Sequence, residues 1–166
     1  MLTRRITLAS TGVALLLVTI KALVWAMSGS IALLASAADS ALDLLASLVT
    51  FFAVRYAASP PDAEHRFGHG KAEAFASLMQ GGLVFASAAL VGREAVASLI
   101  SPQPVRQEGL AMAVMLVSIV LTGGLIAAQG YVLRRTSSVA VSGDRAHYAT
   151  DPVSYTHLTL PTICSV

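Results

Sequence analysis

Four apolar segments, each long enough to cross a bilayer as a helix, decide what this chain can fold into. They run over about residues 6–27, 31–57, 73–99 and 109–133 of a 166-residue sequence. A hydrocarbon core of ~30 Å needs about 20 helical residues, so each segment can span it, some with tilt. The rest of the composition agrees. Hydrophobic residues make up 55% of the chain and charged residues 12%, where a soluble domain carries about 25% charged. That balance excludes both a water-soluble globule of this size and a disordered chain. The expected fold is an all-α membrane protein, an antiparallel transmembrane helix bundle of four complete spans plus the start of a fifth near 139–151.

The charges that remain set the orientation. If the spans alternate, Arg4, Arg5, Arg55, Arg66, Lys71, Arg134, Arg135 and Arg145 fall on one side and Arg93 and Arg106 on the other. Eight cations against two place the N-terminus in the cytoplasm. Residues 58–72 are then a cytoplasmic loop, and 100–108 an outer one. The first span is too long for a removed signal peptide and has no cleavage-site pattern. Ser28-Gly29-Ser30 joins it tightly to the second. Lys21 lies within the first span near Trp25, and the expectation is that it snorkels to the outer interface. The net charge of +2 is spread as membrane-flanking arginines with no basic run above two residues, which argues against a nucleic-acid partner. Cys164 is the sole cysteine, so no internal disulfide can form.

Asp39 and Asp43 stand inside the second apolar segment. A carboxylate at mid-bilayer costs about 2.5–3.5 kcal/mol on insertion scales, so both must face a polar cavity or a partner. Their i, i+4 spacing puts them on one helix face. At ~100° per residue, Ser36, Ser40, Ser47 and Thr50 join them on a stripe about 100° wide. The rest of the wheel is Ala, Leu, Val and Phe. Two explanations compete: hydrogen-bond or ion-pair glue between helices, and a site whose positive charge comes from a divalent cation or protons.

Two further constellations lie downstream. His147 and Asp151 repeat the i, i+4 spacing where a fifth helix would begin. With Asp39 and Asp43 they make three carboxylates and one imidazole, a set suited to tetrahedral Zn²⁺ or another borderline divalent ion; alone they read more readily as a surface pair. In the 58–72 loop, Asp62, His65 and His69 have metal-ligand spacing, against the plainer reading of a solvated loop with two ordinary histidines. Gly68-His69-Gly70-Lys71 does not make a phosphate loop, and no catalytic arrangement suggests an enzyme.

Taken together, Asp39-Ser40-Ala41-Leu42-Asp43, Asp62…His65-Arg66-Phe67-Gly68-His69-Gly70-Lys71-Ala72-Glu73, Ser101-Pro102-Gln103-Pro104 and the His147…Asp151 pair resemble the cation diffusion facilitators. The likeness is strongest to their bacterial ferrous-iron and zinc efflux branch. It covers about residues 5–151, leaving 152–166 as a tail outside the pattern that reads as artefactual. The resemblance implies a six-helix parent working as a homodimer with a further cytoplasmic domain. It implies a transport site of Asp39, Asp43, His147 and Asp151, a second site of Asp62, His65 and His69, and Lys71 in a charge interlock at the dimer contact. The function it implies is Zn²⁺ or Fe²⁺ efflux by proton antiport across the inner membrane, with Cd²⁺ also accepted. Soft Cu(I) is disfavoured because the site offers no thiolate. The alternative is a non-transporting membrane protein with a structural intramembrane metal or helix-pairing site.

Overall fold

A computed structural model describes residues 2–29, 31–100 and 108–150. Its helices fall on the apolar segments: α1 Leu2–Ser28, α2 Ile31–Ala57, α3 Lys71–Ile100 and α4 Glu108–Leu133. A fifth helix, α5, covers residues 139–150. At 1.5 Å per residue, the first four are each about 40 Å long, and all four are long and apolar enough to cross a membrane. Asp151, the 152–166 tail and the Ser101–Pro104 motif lie outside the described residues.

Local chemistry sets the ends. Gly29 takes φ of 65° and its N–H donates to the Trp25 carbonyl at 2.8 Å. This left-handed cap needs a residue without a Cβ, and it turns α1 back along α2. At the start of α5, Ser138 Oγ accepts the Val141 N–H at 3.4 Å while donating to Glu73 Oε2 at 2.7 Å. The serine is a helix cap, and Glu73 ties that cap to the first turn of α3.

α1 packs on α2 and α4, and α2 on α3. α5 enters between them. Gly143 sits so close to α3 that a Cβ there would come within 3.3 Å of Ser77 Cα, so only glycine allows this approach. The apolar core lies at the end of the bundle where the 58–70 loop emerges. It joins Ile6 of α1, Val54 of α2, Ala76 of α3, Leu125 and Val132 of α4, and Ala140, Val141 and Tyr148 of α5. Leu15, Leu23, Phe52, Phe75, Leu78, Phe85 and Val120 point outwards and are exposed. An exterior this apolar is adapted to lipid.

Candidate metal-binding centres

The polar stripe of α2 faces inwards, with Ser36, Ser40, Asp43, Ser47 and Thr50 all buried. Going down the stripe, the partners change helix. Ser40 Oγ accepts from Lys21 Nζ of α1 at 2.6 Å. Asp39, half-buried, accepts from Ser87 Oγ of α3 at 2.5 Å. Asp43 Oδ1 lies 3.0 Å from His147 Nε2 of α5. Ser47 Oγ and Tyr148 Oη are 2.6 Å apart. A buried polar group without a hydrogen bond is costly, and α2 meets that demand with partners on α1, α3 and α5.

Asp43 and His147 are 2% and 1% exposed, although 104 positions separate them in the chain. Each also keeps a second donor atom, Asp43 Oδ2 and His147 Nδ1, buried without a hydrogen-bond partner among the described residues. Asp39 lies within electrostatic range of Asp43, His147 and Lys21. The structure thus joins Asp43 to His147 directly and sets Asp39 beside them on Ser87. Asp151 is outside the described residues.

Lys21 departs from expectation. It is fully buried, with its ammonium turned to the α2 stripe rather than out to the interface. The reason is geometric: Lys21 faces α2 across the Gly29 hairpin, and Ser40 Oγ and the Ser36 carbonyl offer closer partners than the headgroup region.

The loop site is built differently. Asp62 Oδ1 accepts from the backbone N–H groups of Glu64 and His65 at 3.1 and 2.6 Å and lies 3.1 Å from His65 Nδ1. Its other oxygen is 3.4 Å from His69 Nε2. Gly68, at φ of 78°, reverses the chain so that His69 returns beside His65, their ring centroids 4.6 Å apart. His69 is buried against the Tyr56 ring at the end of α2. One ligand atom from each of Asp62, His65 and His69 lies within 4.8 Å of the others. A divalent ion could draw on two nitrogens and one oxygen there. The N–H of His65 is the largest of the influences holding the Asp62 carboxyl below its ordinary value. Lys71 opens α3 next to this cluster, with its side chain exposed.

Residues 7–159 match the cation efflux transmembrane domain. The chain belongs to the cation efflux family. Among its relatives are proteins named cation-efflux pump FieF. That of Shewanella oneidensis is 45% identical over 143 residues, covering 86% of this chain and 48% of the relative. Those of Escherichia fergusonii and Klebsiella pneumoniae are 41% and 39% identical over 150 residues, covering 90% of this chain and 50% of each relative. The chain spans about half the length of these relatives.

One buried polar network of the bundle is not announced by the sequence motifs. Asp144 of α5 is completely buried. It accepts from Thr50 Oγ1 of α2 at 3.4 Å, Gln80 Nε2 of α3 at 3.1 Å and Gln129 Nε2 of α4 at 2.6 Å. Gln80 also donates to Thr50, and Gln129 to Ser10 of α1 at 3.0 Å. A signal was present: Gln80 and Gln129 are isolated amides in apolar runs, and such groups turn towards a bundle interior.

Proposed function

We propose that this protein exports Zn²⁺ or Fe²⁺ across the bacterial inner membrane in exchange for protons, with its N-terminus in the cytoplasm. Asp39, Asp43, His147 and Asp151 would form the transport site. The observation that carries this reading is the pairing of Asp43 with His147 in a fully buried position, each with a second donor atom left over. A carboxylate and an imidazole so placed bind either protons or a divalent cation. Because the metal takes deprotonated ligands, its binding releases protons. When the site faces the more acidic side, protons return to Asp39, Asp43 and His147 and expel the metal. The name that the relatives share, cation-efflux pump, supports the direction of transport.

The donors favour borderline ions over Cu(I), since oxygen and imidazole nitrogen are offered and thiolate is not. Asp62, His65 and His69 would hold a second metal at the cytoplasmic surface. The working unit would be a homodimer, with Lys71 in a charge interlock at the contact.

The test is proton movement in lipid vesicles containing the protein and a trapped pH dye. Zinc added to one side should drive a pH change in the unmodified protein and none in Asp39→Ala. Full activity in Asp39→Ala would overturn the site. The buried Lys21 ammonium beside Asp39 favours a second reading, in which these aspartates only pair helices. That reading predicts no zinc-dependent proton movement at all.

A further inference from the structure

Asp144 has no part in the transport reading, yet it is a completely buried carboxylate that receives side-chain hydrogen bonds from α2, α3 and α4. We propose that Asp144 is a positioning residue for the transport site, holding α5 at the rotation that sets His147 against Asp43. The proposal rests on the transport-site reading given above.

The argument starts from the face that α5 turns inwards. Asp144, His147 and Tyr148 are spaced i, i+3 and i+4, so they share one side of the helix, and all three are buried. Tyr148 fixes one flank of His147 through the hydroxyl of Ser47. Asp144 fixes the other, and its anchorage is broader. Through Gln129 it reaches Ser10, so α1 is drawn into the same network.

The partners around Asp144 identify its role. Thr50, Gln80 and Gln129 are neutral and act as donors towards it. A carboxylate oxygen can accept two hydrogen bonds, so one short side chain can gather three helices at once. Gln80 Oε1 and Gln129 Oε1 are buried without hydrogen-bond partners among the described residues, so each amide acts through its nitrogen, towards the carboxylate and towards Thr50 or Ser10. The arrangement resembles the outer ring of groups that orients a metal ligand, in which one further hydrogen-bonded partner fixes the ligand's direction. Here the orientation is transmitted through one turn of helix.

The experiment uses the purified protein in detergent and compares Asp144→Ala, Asp144→Asn and Gln129→Leu. The first readout is zinc affinity at the site that Asp43→Ala removes. The second is the imidazole nitrogen NMR signal of His147 in the metal-free protein. Asp144→Ala leaves the donors of Gln80 and Gln129 unmatched and should weaken zinc binding on the order of 10–100-fold, with loss of the His147 signal that reports Asp43. Asp144→Asn should stay near the parent value, because Gln80 still has an oxygen to donate to and Gln129 can turn its amide over to accept. Gln129→Leu removes one donor and should shift both readouts in the same direction by less, which keeps the test alive if Asp144→Ala does not fold. Unchanged affinity and unchanged His147 signal in both Asp144→Ala and Gln129→Leu would overturn the proposal. So would Asp144→Asn as damaging as Asp144→Ala, since the charge and not the hydrogen bonding would then be at work. If the parent shows no Asp43-dependent zinc site, the transport reading fails, while the metal-free His147 signal still decides the positioning role.

Discussion

The pair in the bundle and the cluster in the loop use the same side-chain types, carboxylate and imidazole, in opposite solvents. Asp43 and His147 are withdrawn from water and come from helices far apart in sequence. Asp62, His65 and His69 come from eight consecutive residues, and two of the three are exposed. A local turn positions the loop ligands: two backbone N–H groups on Asp62 and one left-handed glycine suffice. The buried pair needs the whole bundle, including the close approach at Gly143 and the hydrogen bonds gathered by Asp144. Burial makes the electrostatic interaction of the inner pair with a divalent ion stronger than in water, and it also makes the empty, charged site harder to sustain. In the proposed mechanism, coupling of metal to protons follows from that tension. The loop cluster, in water, has far less of it.

The largest expected effect separates the two regions outright. Asp43→Ala should abolish zinc-driven proton movement in vesicles, whereas His65→Ala should reduce it only in part. Equal loss in both variants would erase the distinction. Next comes selectivity. His147→Asp replaces the one nitrogen of the inner site with oxygen and should move the preference from zinc towards manganese, a ratio read by competitive transport. The same ratio should be indifferent to His69→Asp if the loop does not select the transported ion.

A third, smaller effect contrasts two glycines. Gly143→Ala forces a methyl against the α3 backbone and should cost about 1–3 kcal/mol, lowering thermal stability and inner-site zinc affinity together. Gly68→Ala meets only Pro61 Cγ, in ordinary contact at 3.9 Å, but must hold φ of 78°, at a cost of roughly 1–2 kcal/mol. It should weaken zinc binding in the loop alone.

The smallest effect is in pH. The Asp62 carboxyl is held below its ordinary 3.8, first by the backbone N–H of His65. Its folded value is depressed, so the support it gives the turn is complete above the ordinary value and is lost as pH falls through the lowered one. The Asp62 side-chain carboxyl resonance should therefore show its own titration only in acid, below that of an ordinary aspartate. A titration at or above the ordinary value would contradict the hydrogen bonds as its cause.

How much of this was legible in the sequence follows from the same contrast. The helices were readable because apolar runs of bilayer length admit little else. The α2 stripe was readable because a helix repeats every 3.6 residues, and the loop cluster because its members are neighbours in the chain. What could not be read was which helix would meet which position on the stripe. Ser87 on Asp39 and Gln129 on Asp144 are contacts between spans, and nothing in the period of one helix names its partner on another. Lys21 shows the error that results: from α1 alone an ammonium near the end of a span belongs at the interface, and only the position of Ser40 across the hairpin brings it inwards.

The central claim is that the buried pair and the loop cluster are separate metal sites and that the buried pair carries the transported ion. Zinc titration calorimetry of the purified protein tests it most directly, run on the parent, on Asp43→Ala and on an Asp62→Ala/His65→Ala double variant. The account predicts two classes of site in the parent. Asp43→Ala should lose one class and its proton release while keeping the other. The double variant should lose only the class that Asp43→Ala retains. An Asp43→Ala protein that still binds zinc in both classes, with unchanged proton release, would contradict it.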